Sequence, residues 1–258
     1  MRPNPLKQLF AQNKPAMVAW QQVPSPFVGE ILGHTGVDAV CLDLQHSPIF
    51  VEHAVPIMQA ISSTPATPIV RVSANRFEEI NRVLDGGAYG VIVPLVNTVA
   101  DAQEFVRACL YPPMGERSWG PPRGLIYGGD DYFEHANDTI LKLAMIETRQ
   151  GLDNLEAILA VPGLDGIFIG PSDLSIALKG SPALDWENGL LADALAHCRA
   201  VTRKHGKYAG VWCPHAVMGA AMVKLGYDMV VAGPDSGVLK TEFASRVQVL
   251  RKASQSKQ

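Results

Sequence analysis

A chain of 258 residues with 47% hydrophobic content can bury one large core, and this is the usual size of a (β/α)8 domain. Its 22 basic and 25 acidic residues give a formal net charge of -3 and are scattered without runs, which excludes a cationic face for nucleic acid and points to small molecules as partners. Four cysteines without CxxC spacing, a start that lacks the apolar run of a signal peptide, and no apolar stretch of membrane-spanning length predict a protein of the reducing cytoplasm.

Short apolar or β-branched runs alternate with helix-period segments along the whole chain, the pattern of a parallel sheet with crossover helices. Strands are predicted over 16–20, 39–44, 68–72, 91–96, 141–147, 165–170, 208–213 and 228–232. Eight strands favour closure, so the expected fold is α/β, a (β/α)8 TIM barrel forming one domain over 1–258. Phe77, Ile80, Val83 and Leu84 share one helical face, and Leu152, Leu155, Ile158 and Leu159 another. Gly86-Gly87, Pro162-Gly163, Gly206 and Gly226 mark helix exits. One long irregular segment, about 111–138, follows the fourth strand and helix and is expected to line or cover the site. The last helix, about 238–252, carries Leu239, Phe243, Val247 and Leu250 on a stripe that could pack on its own barrel or on a neighbouring subunit. The tail, 253–258, is expected to fray.

In this fold the active site lies at the C-terminal rim of the strands, so the polar residues just past each strand are the candidates. Glu147 and Asp173 end two consecutive apolar strands and would converge at one rim, where two carboxylates can hold Mg2+ and leave positions for water and a bidentate substrate. A buried ion pair, for instance of Glu147 with Arg71, is the structural alternative. Gly170-Pro171-Ser172-Asp173 turns directly into a helical pattern, so the Ser172 and Asp173 amides should form a carboxylate receptor, although either side chain could simply cap the helix. Arg71 supplies a permanent charge suited to a carboxylate or enolate oxygen. His46, beside Asp43 and Gln45, is the general-base candidate. Cys213 and His215 lack the further spacing-matched partners of a soft-metal site. No lysine occupies an inner strand position suited to Schiff-base chemistry, since Lys142 begins its strand; a carbanion would need a metal Lewis acid.

Several segments in order then resemble one family: Asp43-Leu-Gln-His46, Arg71-Val72, Val83-Leu-Asp-Gly-Gly-Ala88, Tyr111-Pro-Pro-Met-Gly-Glu-Arg117, Glu147 with Gly151-Leu-Asp-Asn-Leu155, Gly166-Ile-Phe-Ile-Gly-Pro-Ser-Asp-Leu174, and Gly233-Pro-Asp235. Over nearly its whole length the chain resembles the HpcH/HpaI aldolases, the metal-dependent class II pyruvate aldolases. The resemblance implies an aldehyde-lyase that cleaves 4-hydroxy-2-oxo acids to pyruvate and an aldehyde, or runs the reverse addition, through a metal-stabilised pyruvate enolate, with oxaloacetate decarboxylation as a side activity. It implies that Glu147 and Asp173 ligate Mg2+, Mn2+ or Co2+, that Ser172 amides hold the pyruvate carboxylate, that Arg71 stabilises the enolate oxygen, and that Trp20 matches an active-site tryptophan. His46 and Asp85 would handle the aldol proton through water. Asp85 ends a helix at the wrong rim of its own barrel, so in this role a neighbouring subunit must supply it; the alternative is a simple helix-end carboxylate before Gly86-Gly87. A homo-oligomer with shared sites is therefore expected, in line with the family's hexamers built as trimers of dimers. Gln45 stands where many members have glutamate, and Pro234 and Pro121-Pro122 sit where acceptor contacts are expected, so no relative's substrate transfers directly. A lyase for a CoA-thioester such as citramalyl-CoA, which would need a basic groove where the chain offers no clustered Lys or Arg beyond Arg117 and Arg123, and a non-catalytic barrel that binds a 2-oxo acid are the alternatives.

Overall fold

The computed structural model describes residues 1–255. In chain order the elements are α1 (Pro5–Ala11), β1 (Ala16–Gln21), α2 (Pro26–Gly33), β2 (Ala39–Asp43), α3 (Val51–Ile61), β3 (Thr67–Arg71), α4 (Phe77–Asp85), β4 (Gly90–Val93) and α5 (Val99–Cys109). They continue with α6 (Pro122–Gly128), α7 (Tyr132–Thr139), β5 (Leu141–Ile146), α8 (Arg149–Asp153), α9 (Leu155–Leu159), β6 (Gly166–Ile169), α10 (Pro171–Lys179), α11 (Leu190–Lys204), β7 (Tyr208–Val211), α12 (Ala216–Leu225), β8 (Met229–Pro234) and α13 (Asp235–Gln255). The strands pair in sequence order, all parallel, and β8 returns to β1, so the predicted TIM barrel closes.

Strand periodicity sorts each run of apolar residues into two cores. Val18, Trp20, Ala39, Cys41, Ile69, Ile92, Leu143, Met145 and Phe168 fill the barrel interior, with Leu6 and Phe10 of α1 packed against the same cluster. The intervening residues, such as Val40, Leu42, Val70, Ala144 and Ile167, face the helical shell. This parity positions the site, because the residue that follows the last inward apolar side chain by two also faces inward.

The segment 111–138 does not cover the candidate site of its own barrel. It contains α6 and part of α7 and joins helix α5 to strand β5, and an αβ connection returns the chain to the N-terminal rim, opposite the βα connections. There Arg123 donates to the Gly86 and Met58 carbonyls, and Gly128 accepts from the Arg2 amide. Pro121-Pro122 therefore also lies away from the acceptor position of its own barrel. The last helix is longer than predicted: α13 runs through Gln255, so 253–255 are helical, while 256–258 lie outside the described residues. Leu239, Phe243, Val247 and Leu250 do not pack on the barrel; Phe243 is 63% and Leu250 70% exposed. All four cysteines are buried and free. Among the described residues, no helix is long and apolar enough to cross a membrane.

Candidate active site

The inward parity of the barrel brings Gln22, Asp43, Arg71, Glu147 and Gly170 to the C-terminal ends of β1, β2, β3, β5 and β6. Asp43 and Arg71 are directly opposite in register, and Ile146 pairs with Ile169, which sets Glu147 against Gly170. The resulting cavity of about 200 Å3 is lined by Gln22, His46, Arg71, Met145, Trp212 and the Gly170–Asp173 turn. A surface groove of about 430 Å3 around Leu44, Phe50, Arg76 and Glu79 shares none of these lining residues.

Arg71 does not pair with Glu147. It is bound bidentately by fully buried Asp43: Nε donates to Oδ1 at 3.0 Å, and Nη2 lies 2.7 Å from Oδ2. Trp20 supports this pair from below, with its indole Nε1 donating to Asp43 Oδ2 at 3.1 Å and its ring 4.8 Å from the guanidinium carbon. Burial pushes the Asp43 carboxyl up, but Arg71, with the His46 amide and the Trp20 indole, outweighs it and holds the carboxyl below its usual range. Trp20 is wholly buried and stacks on Phe168, so it lies beneath the cavity as a support for the Asp43–Arg71 pair. The fork leaves Arg71 Nη1 without a carboxylate partner, 4.0 Å from Met145 Sδ at the cavity wall.

Glu147 is 2% exposed. Its Oε1 accepts from the Leu95 amide at 2.9 Å, and Oε2 is buried without a hydrogen-bond partner. Burial pushes its carboxyl up to about 7; the Leu95 amide and Arg71 oppose the rise, and the Asp173 carboxylate adds to it. An unpartnered carboxylate oxygen that feels a second carboxylate is the electrostatic condition a cation relieves. Gly170 keeps the space open, because a Cβ there would stand 2.4 Å from Glu147 Oε2. Among the described residues, no three His, Cys, Asp or Glu side chains form a ready-made metal cage. The donor set therefore fits a hard cation held by two protein carboxylates that takes its other ligands from water and substrate.

Pro171 opens α10 without an N–H, so the Ser172 and Asp173 amides are the first free donors of that helix, as the sequence predicts. His46 is exposed at the cavity edge; its backbone amide, not its ring, donates to Asp43 Oδ1, at 3.1 Å. Asp85 is not brought to this cavity. It ends α4 at the N-terminal rim, where buried Arg117 donates to it at 3.0 Å and to Tyr132 Oη at 3.1 Å. Burial raises the Asp85 carboxyl, and Arg117 opposes the rise. His215 caps α12 through Nδ1, which accepts from the Met218 amide, so it has an ordinary structural role.

Two participants were missed in the sequence. Leu95 holds Glu147 from a left-handed conformation, φ 55°, that a branched residue rarely adopts, and no sequence signal marks it. Gln22 lies two residues beyond the predicted strand end at Trp20, and only the inward parity of Val18 and Trp20 could have found it.

The family model described as HpcH/HpaI aldolase/citrate lyase matches residues 17–241. A hydroxypyruvate/pyruvate aldolase from Rhizorhabdus wittichii is 41% identical, over 92% of this chain and 94% of its own length. A 5-keto-4-deoxy-D-glucarate aldolase from Klebsiella pneumoniae is 33% identical, over 97% and 98%. Among solved structures, a HpcH/HpaI aldolase/citrate lyase family protein from Burkholderia cenocepacia superposes with a TM-score of 0.89 at 28% identity, covering 96% of this chain and 99% of that one.

Proposed function

The chain belongs to the HpcH/HpaI aldolase/citrate lyase family, and we propose that it is a divalent-metal-dependent aldolase that cleaves 4-hydroxy-2-oxo acids to pyruvate and an aldehyde and runs the reverse addition. The observation that carries the metal reading is the buried, unpartnered Oε2 of Glu147 in the field of Asp173. Mg2+, Mn2+ or Co2+ would be held by Glu147 and Asp173, and when bound it would draw electron density from the keto group of the substrate.

The chain's own groups account for the rest. The Ser172 and Asp173 amides receive the substrate carboxylate, and Arg71, held in one orientation by Asp43, offers Nη1 to the oxygen that becomes negative as the C3–C4 bond breaks. His46 takes the proton from the C4 hydroxyl and returns it in the addition direction. Protonation at C3 then completes pyruvate; loss of CO2 from oxaloacetate would pass through the same enolate. A thioester lyase is disfavoured, because Arg117 and Arg123, the two basic residues it would draw on, are already engaged with Asp85 and with the Gly86 and Met58 carbonyls.

Asp85 would act on His46 of a neighbouring copy, which makes the active unit a homo-oligomer, proposed as a hexamer of three dimers. The exposed apolar stripe of α13 is the surface this arrangement would cover. Four buried free thiols are compatible with a reducing, cytoplasmic location.

The test is aldol cleavage and C3 proton exchange of pyruvate, measured with metal-stripped and metal-replete protein. Both activities should require the cation and be lost in Glu147→Ala and Asp173→Ala; absence of both from replete protein would reject the aldolase mechanism.

A further inference from the structure

Gln22 lines the cavity but belongs to none of the predicted strand ends or family segments. Its carboxamide is gripped from two sides. Ser236 Oγ donates to Gln22 Oε1 at 2.6 Å, and Gln22 Nε2 donates to Asp43 Oδ2 at 3.3 Å. A carboxylate only accepts, so Asp43 fixes which end of the amide faces it. The backbone is held as firmly: the buried carboxylate of Asp235 accepts from the amides of Gln22 at 2.8 Å, Val23 at 3.1 Å and Ser236 at 2.7 Å. The first turn of α13 thus orients a side chain in the cavity wall.

The second N–H of Gln22 Nε2 has no acceptor among the described residues. It is a neutral donor whose neighbour is the Asp43 carboxylate, in a cavity that Asp173 also lines, where a second substrate carboxylate would meet repulsion. The donor suits an uncharged oxygen. The carboxylate of the keto acid already has its receptor in the Ser172 and Asp173 amides of α10.

We propose that Gln22 is a specificity residue that binds a hydroxyl oxygen on the aldehyde half of the substrate, and that Ser236 is its positioning residue. The proposal rests on the aldolase reading above and names its acceptor class: hydroxyaldehydes in preference to unsubstituted ones. The reaction balances without a further reactant. Pyruvate loses a C3 proton, C3 bonds to the aldehyde carbon, and the aldehyde oxygen takes up a proton.

The experiment compares kcat/KM for addition of pyruvate to glycolaldehyde and to acetaldehyde. The wild-type protein should prefer glycolaldehyde, and Gln22→Leu should reduce that preference about ten-fold, the scale of one hydrogen bond in a specificity site. Ser236 is exposed, so Ser236→Ala tests the same claim without disturbing the core; it should lower the preference less, Ser236→Thr should restore it, and Ser236→Ala should add nothing in the Gln22→Leu background. Equal losses for both aldehydes in Gln22→Leu, an unchanged preference, or an undiminished Ser236→Ala effect in that background would overturn the proposal. A wild-type protein that exchanges pyruvate protons but shows no preference for glycolaldehyde also overturns it, while leaving the aldolase reading intact. If the wild-type protein shows neither exchange nor addition, the aldolase reading itself fails.

Discussion

At the scale of single residues, Glu147 carries the largest electrostatic tension of the site, and its sign sets a pH dependence. A carboxyl raised from 4.5 to about 7 binds its proton more tightly folded than unfolded. Its favourable contribution is therefore complete below pH 4.5 and disappears as pH rises through about 7. For metal-free protein the loss across this window is about 3 kcal/mol, and Glu147→Gln should abolish it. Denaturant unfolding of both proteins at several pH values gives the difference directly; a flat difference would show that Glu147 is not strained. A cation competes with that proton, so metal affinity measured by calorimetry should climb with pH and level off above about 7. Asp43 presents the opposite case, because its burial is compensated by Arg71. Asp43→Ala would leave a buried guanidinium unpaired and should cost roughly 3–5 kcal/mol, whereas the double change Asp43→Leu with Arg71→Met should recover much of that stability with no activity. If the single variant unfolds at the wild-type denaturant concentration, the pair is not the structural keystone its burial indicates.

At the scale of elements, the β5–β6 pair depends on a glycine. Gly170 lies opposite Glu147, and the missing Cβ is the room in which Glu147 Oε2 stands. Gly170→Ala should keep the barrel, since the clash is with the ends of the Glu147 and Met145 side chains, but weaken metal binding at least ten-fold; unchanged affinity would mean that Oε2 is not a ligand. Elements of this kind were legible to different degrees. Every strand was visible because parallel strands buried on both faces read as unbroken apolar runs, and Glu147, Arg71, Asp43 and the Gly170 turn were visible because a polar residue ends such a run. The segment 111–138 was misplaced because its composition says only that it is irregular; whether it lies at the catalytic rim depends on its joining a helix to a strand, which is a property of topology. The partnership of Arg71 was also beyond the sequence, since both Asp43 and Glu147 face inward and only the register across β2 and β3 selects Asp43. Leu95 was invisible for a plainer reason: its function is carried by a backbone amide.

At the scale of the whole molecule, the proposed assembly can be tested at two places, the exposed stripe of α13 and Asp85. The exposed stripe of α13 lies on the helix whose first turn holds Gln22 and through it reaches Asp43, so the proposed assembly surface and the cavity share one element. Phe243→Glu with Leu250→Glu should shift the protein toward monomer by sedimentation and reduce activity; an unchanged mass would assign the stripe no role in assembly. Asp85 provides the sharper test, because it is held by Arg117 at the rim opposite its own His46. If each site combines His46 of one copy with Asp85 of another, Asp85→Asn and His46→Ala proteins should each be nearly inactive, yet regain activity when dissociated and reassembled together. Some sites in the mixed oligomer then receive both native residues. Two variants whose sites are complete within one chain cannot rescue each other in this way, so activity that stays at the sum of the separate preparations would place Asp85 outside the reaction and leave it as the ion-pair partner of Arg117.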